Sequence, residues 1–201
     1  ELVKKHNFGN YNFNVNHIYH KMVSKNKNMG AKTLMRIASE ISTLKKSLPI
    51  NWDTSILVRV CPNHINALKF IIIGPEDTPY HNGIFEFHAY FPENYPNVPP
   101  KVNIETTDMA HVRFNPNLYA SGKVCLSLLG TWRGEKSESW NSDTSTFLQV
   151  LISIQSLILV KDPYYNEPGW ESDRFTEKGR KKCFDYSDNI RYETLRVAIN
   201  N

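Results

Sequence analysis

The chain has 201 residues, 40% hydrophobic and 22% charged, with a net charge of +4, enough for one well-buried domain and short for two. No run approaches the ~18 uninterrupted apolar residues of a membrane helix; the richest, FLQVLISIQSLILV (Phe147–Val160), is broken by Gln149, Ser153, Gln155 and Ser156. Residues 1–36 hold seven of the 24 basic residues and one of the 20 acids, so the rest is slightly acidic and lacks the basic body of a nucleic-acid binder.

Neither nucleic acid nor membrane is therefore expected as a partner. The basic arm reads as a solvated tail or a docking surface for an acidic protein. The opening ELVKKHNFGN has no apolar signal core, and Glu1 suggests a fragment of a longer protein. Three widely spaced cysteines (Cys61, Cys125, Cys183) without a C-x-x-C pair argue against a disulfide framework. They fit a reducing compartment: the cytoplasm, with the nucleus as a second setting.

Residues 1–28 carry seven asparagines and little periodic hydrophobicity, so they are expected to form a flexible or loosely docked basic extension. The core is expected over residues 29–201, including a C-terminal helical extension. The spacing of Leu34, Ile37, Ala38, Ile41 and Leu44 predicts a helix from Ala31 to Lys46, ended by Leu48-Pro49. The period then changes to two. Ser55–Cys61, Ala67–Ile73, Ile84–Phe91 and Lys101–Glu105 read as four strands of an antiparallel meander, with Phe85, Phe87 and Ala89 alternating against Glu86, His88 and Tyr90. Six of the eleven prolines fall between Pro75 and Pro100 and exclude helix there. Asp143 or Thr144 is expected to cap a central buried helix over Phe147–Val160, ended by Asp162-Pro163. Two more helices are expected over Ser172–Phe184 and Ser187–Asn200. The order gives an α+β domain with helices segregated from the sheet.

Cys125 lies in RFNPNLYASGKVCLSLLGTW, eight residues after Asn117 of an Asn115-Pro116-Asn117 turn, with Val124 and Leu126 as apolar anchors. No second cysteine or histidine lies within ten residues, which leaves no metal-ligand spacing, and no protease signature surrounds it. His17 and His20, though spaced to share a helix face, are not expected to bind metal. No metal or cofactor is expected. What remains is a thiol that carries an acyl group delivered in activated form, with the Asn117 amide able to face the oxyanion when an amine attacks.

GPEDTPYHNGIFEFHAYFPENYPNVPPKV, then NPN, eight residues to Cys125, Trp140, and a long helix ending in an Asp-Pro loop together resemble the catalytic core of ubiquitin-conjugating enzymes. The resemblance spans roughly residues 31–170. Within the family it is strongest to large divergent members: the Z-type enzyme and the conjugating domains of giant conjugating-enzyme/ligase hybrids of the BIR-containing type. It implies a UBC-like fold, and a transferase in which Cys125 accepts ubiquitin, or a ubiquitin-like protein, from the activating enzyme and passes it to a substrate lysine. By the same resemblance, Asn117 would stabilise the oxyanion or hold the loop that does. Glu167 would orient or desolvate the incoming lysine, with Asp162 a second candidate, and Tyr95-Pro96 would brace the loop under the site, a place for a cis bond.

The chain departs from the family pattern at several positions. Asn115 stands where a histidine is usual, and Ser127 where many members carry an aspartate. Asn97 replaces a phenylalanine that commonly docks ligases, and Asn141-Ser142-Asp143 replaces Ser-Pro-Ala, which speaks against generic ring-type ligase docking. About seven extra residues lie between Cys125 and Trp140, with Trp132 placed to cover the site. The alternative function is a non-catalytic variant of the fold that binds ubiquitin or scaffolds a partner; such variants generally lack the cysteine.

Overall fold

A computed structural model describes residues 2–25, 29–132 and 134–200; Glu1, Asn26, Lys27 and Asn28 of the arm and Arg133 of the insertion lie outside the described residues. The hydrophobic alternation of the middle third produces a sheet of five strands in the order β1 (Phe8–Asn10), β2 (Ile56–Cys61), β3 (His64–Ile73), β4 (Ile84–Tyr90) and β5 (Lys101–Ile104). From β2 to β5 every pairing is antiparallel, as the meander requires. One face, carrying Val58, Leu68, Phe70, Ile72, Phe85, Phe87 and Ala89, is buried almost completely. Phe70 and Phe87 stack at 4.9 Å, and the edge of Phe147 from the central helix meets Phe70 at 5.9 Å. Sheet and helix thus share a single aromatic core, where each large ring buried contributes several kcal/mol in order of magnitude.

Five helices accompany the sheet among the described residues: α1 (Leu2–His6), α2 (His20–Lys25), α3 (Ala31–Ser47), α4 (Phe147–Ser153) and α5 (Glu177–Glu193). Of the predicted apolar stripe on α3, Ile37 and Leu44 are fully buried and Leu34 is partly exposed. The stripe also hides Glu40, which the apolar spacing does not include. Its carboxylate accepts from the Tyr95 hydroxyl (2.6 Å), the Arg36 guanidinium (2.9 Å) and the Phe147 backbone N–H at the start of α4 (3.0 Å). A buried carboxylate is tolerated when paired and bonded in this way. The cap of α4 is Thr146, in a reciprocal box with Gln149, rather than Asp143 or Thr144. The amides of those two residues turn on the Asn141 side chain instead.

Two further expectations change. The pair of C-terminal helices is one: α5 runs into a wider π-helical stretch, Thr194–Ile199, because Cys183, Ser187, Ile190, Thr194 and Val197 form one continuous buried face with no glycine or proline to break it. The arm, in turn, is docked along the sheet where described. β1 pairs parallel with β2, and Phe13, Tyr19 and Val23 pack on Ala67 and Tyr90. This is why His88 and Tyr90, which alternation places on the solvent side, are buried. The contacts come from single side chains of irregular chain, so no periodicity announces them.

The arm is held by two imidazoles stacked at 4.3 Å and 9°. His17 Nε2 donates to the Leu68 carbonyl (3.1 Å), and its Nδ1 accepts from the Tyr19 N–H; His88 Nδ1 accepts from the Ile18 N–H (3.1 Å). Burial, only partly opposed by the Leu68 hydrogen bond, lowers His17 from 6.5 to about 4. Since the docked state takes up protons less readily than the free arm, docking is fully supported above pH 6.5 and weakens as pH falls from 6.5 towards 4. The hydrogen bond from His88 first, then Lys69, holds the adjoining Glu86 at about 2, so its contribution survives to lower pH and is lost between 4.5 and 2. Amide hydrogen exchange at Ile18 and Tyr19, corrected for intrinsic pH dependence, should show lost protection between pH 6.5 and 4.5; unchanged protection would contradict this.

Candidate active site

The central helix sets the position of the site. After Ser153 it widens into a π-helical stretch, Ile154–Ile158. A helix end leaves its last carbonyls without partners, and here side chains from loops supply them. Asn115 Nδ2 donates to the Ile158 carbonyl (2.8 Å), and Asn166 Nδ2 to that of Leu157 (3.0 Å). Asn115 is fully buried. Its Nδ2 also donates to the Tyr80 hydroxyl (2.9 Å), which donates onward to the Phe114 carbonyl, and its Oδ1 accepts from the Asn117 N–H (2.8 Å). The asparagine in place of the usual histidine thereby ties the turn to the helix end, to Tyr80 and to the loop bearing Asn166.

From that anchored turn the chain makes a miniature antiparallel hairpin. Leu118 pairs with Val124, and Tyr119 N–H donates to the Lys123 carbonyl. At its tip Gly122 has φ +88°, and a Cβ there would lie 2.3 Å from the Asn103 amide nitrogen, so glycine is required on both counts. The hairpin returns Cys125 beside Asn117. The Cys125 N–H donates to the Asn117 carbonyl (2.8 Å), and Asn117 Nδ2 donates to the Cys125 carbonyl (3.0 Å). Asn117 therefore holds the cysteine's loop, and the second hydrogen of its Nδ2 has no partner among the described residues. Thr131, which sequence reading passed over, closes the other side: its hydroxyl donates to the Val124 carbonyl (2.6 Å) and accepts from the Leu126 N–H (3.0 Å). A threonine in a G-T-W turn carries no signal of this without the fold.

Cys125 is 2% exposed, on the floor of a hollow of about 300 Å³. Asn117, Ser127 and Trp132 line the hollow with it, as do Leu157 and Ile158 of the helix and Asn166, Pro168 and Glu171 of the following loop. Trp132, on the insertion, is exposed to solvent and lines the hollow. Ser127 begins the turn Ser127–Leu129 and donates to the Glu138 carboxylate at 3.5 Å.

Three expected residues fall elsewhere. Glu167 is not among the lining residues; it forms an ion pair with Arg113 (3.2 Å), whose guanidinium also donates to the Pro116 carbonyl and lies over the Tyr119 ring. Asp162 accepts from the Cys183 thiol at 3.7 Å, away from the hollow, as the start of the turn Pro163–Asn166. Tyr95 precedes a cis peptide bond to Pro96, yet braces α3 and α4 through Glu40 and packs on Trp140 instead of supporting the cysteine. Glu171, the carboxylate that does line the hollow, was not singled out, because its place depends on how the loop from Pro163 folds back.

A helix on an open, mostly antiparallel sheet, with an asparagine-braced thiol near the end of the central helix, defines a UBC-type domain. The ubiquitin-conjugating enzyme family model matches residues 36–192. The chain is similar to the dual E2 ubiquitin-conjugating enzyme/E3 ubiquitin-protein ligase BIRC6 of Mus musculus, with 49% identity over 201 residues, 99% of this chain and 4% of that protein. It is also 46% identical over 195 residues to a probable ubiquitin-conjugating enzyme of Acanthamoeba polyphaga mimivirus, covering 96% of this chain and 14% of that protein. With the probable ubiquitin-conjugating enzyme protein 17 of Caenorhabditis elegans it shares 49% identity over 164 residues, 82% of this chain and 22% of that protein. The chain belongs to the ubiquitin-conjugating enzyme family, and spans a small part of the length of these relatives.

Replacing Asn115 by alanine strips partners from the Ile158 carbonyl and the Asn117 N–H inside the protein. The expected loss is roughly 2–3 kcal/mol, read as a lower urea midpoint at unchanged slope. A loss below about 0.5 kcal/mol, the size of an ordinary surface change, would contradict the role given to Asn115.

Proposed function

We propose that this domain carries ubiquitin, or a ubiquitin-like protein, as a thioester on Cys125 and transfers it to a lysine amine. The observation that carries this reading is the thiol at the floor of an open hollow with the Asn117 amide bonded to its own carbonyl. Cys61, in β2, and Cys183, beside Asp162, have no such setting. An acyl carrier needs no strong base at the sulfur, because the acyl group arrives activated from the activating enzyme. It needs a neutral donor where charge develops on the carbonyl oxygen, and the free hydrogen of Asn117 Nδ2 is the group suited to it. Partners of the reaction are then the modifier, an activating enzyme, a lysine-bearing protein and a ligase that does not depend on the usual docking phenylalanine, since Asn97 stands there. Three unpaired thiols support a cytoplasmic or nuclear setting.

The chain incubated with activating enzyme, ATP and ubiquitin should yield an adduct on a non-reducing gel that reducing agent removes, and Cys125→Ser should abolish that thiol-sensitive band. Asn117→Ala should still load but discharge to lysine roughly 10²-fold more slowly. Absence of any reducible adduct on the wild-type chain would overturn the reading; equal loss of loading and discharge in Asn117→Ala would assign that side chain to folding alone.

A further inference from the structure

The chain leaves the hollow at Glu171, continues as the short 3₁₀ turn Glu171–Phe175 and then enters α5. The joint between turn and helix is rigid. The Thr176 hydroxyl donates to the Asp173 carbonyl (2.8 Å) and accepts from the Gly179 N–H (2.9 Å), which caps α5. Gly179 lies so close against the turn that a Cβ there would sit 2.0 Å from the Asp173 carbonyl oxygen. Trp170, just before the turn, stacks on Tyr164 at 4.4 Å. With the rise of a 3₁₀ helix, Phe175 stands roughly 8 Å along the turn from Glu171 on the wall of the hollow.

Residues 174–184 hold five basic residues and one acid, as much net positive charge as the whole chain. Lys182 is paired with Asp173 (3.5 Å), but Arg174, Lys178, Arg180 and Lys181 form no ion pair among the described residues. Two aromatic side chains stand among these cations in solvent: Phe175 is 85% exposed and Phe184 63%. Arg180 links them, donating to the Phe175 carbonyl (3.3 Å) and lying one turn before Phe184 on the helix. Past Phe184 the sign reverses at Asp185 and Asp188, which bounds the patch. A fixed pair of exposed rings with a positive rim suits a partner that brings apolar side chains and carboxylates together.

We propose that this surface docks an acidic segment, with an aliphatic or aromatic residue in it, of the protein whose lysine is modified. Its role in transfer deepens the thioester reading and rests on it; the docking itself does not. Carboxylates of the segment meet Arg180 and Lys181, and its apolar residue covers Phe175 and Phe184. An extended chain advances about 3.3 Å per residue, so the acids lie about three to six residues from the lysine that enters the hollow. Docking of this kind raises the local concentration of the lysine. It holds ground state and transition state alike, and so lowers KM while leaving kcat unchanged.

The probes are two fluorescent peptides, each with a single lysine followed about four residues later by Asp-Leu-Glu-Phe or by its neutral counterpart Asn-Leu-Gln-Phe. Anisotropy with the uncharged chain should show the acidic peptide binding about tenfold more tightly at low salt, an advantage that added salt removes. The same ratio should appear in KM when ubiquitin-charged chain is discharged to each peptide. Arg180→Glu combined with Lys181→Glu should turn the preference towards a peptide ending in Arg-Leu-Arg-Phe, and Phe175→Ala combined with Phe184→Ala should weaken both probes. Discharge to free lysine should match wild type in every variant. Equal binding of the two probes, a preference that survives charge reversal, or wild-type binding to phosphatidylserine vesicles but to neither peptide would overturn the proposal. A chain that binds the acidic peptide yet never loads would overturn the thioester reading alone.

Discussion

The hydrogen bonds of one buried side chain, Asn115, hold the end of the central helix and the turn before the cysteine in a single piece. An amide group offers two donor hydrogens and an acceptor oxygen with two lone pairs. Here the donors go to the Ile158 carbonyl and the Tyr80 hydroxyl, and the oxygen receives the Asn117 N–H, with the Asn166 amide at 3.4 Å. A neutral imidazole, with one donor and one acceptor, would meet half of these demands. The widened last turn of the helix and the asparagine are thus complementary: the π-helical stretch presents carbonyls that the loop amides satisfy.

From this node the active-site geometry follows by short steps. Asn117 is fixed by its own N–H, and from there its backbone and side chain bracket Cys125. Thr131 clamps the peptides on either side of the cysteine, and Gly122 lets the hairpin tip pass against Asn103. The thiol ends on the floor of a hollow whose walls come from separate elements: the helix, the insertion and the loop after Asp162. A second polar node, Glu40 with Arg36 and Tyr95, locks α3 to the start of α4. The central helix is therefore held at both ends by buried polar groups, and along its length by aromatic packing against the sheet.

Much of this was legible in the sequence, and what was not has identifiable causes. The period-two pattern located β2 to β5, because one face of each strand is buried against the core. The same pattern was silent about β1, a three-residue strand whose pairing is decided by its neighbour. It also misplaced His88 and Tyr90, which only the arm covers. The thiol and its asparagine turn were readable because they are close in sequence, eight residues apart. Glu40 was not singled out, since only Arg36 among its three donors is local and Tyr95 and Phe147 come from distant segments. Glu167 and Glu171 are four residues apart, yet the first pairs with Arg113, 54 residues earlier, and the second lines the hollow, a difference set by the folded loop and not by local sequence.

The account depends most directly on the Asn115 amide being sealed between the helix end and Tyr80. The measurement is side-chain amide hydrogen exchange by NMR on asparagine-labelled protein. Both Asn115 Nδ2 hydrogens should exchange only through global unfolding, tracking core amides of β3 as denaturant is added. Exchange as fast as that of the exposed Asn63 side chain would mean that the turn and the helix end are not joined, and the site as described would not exist.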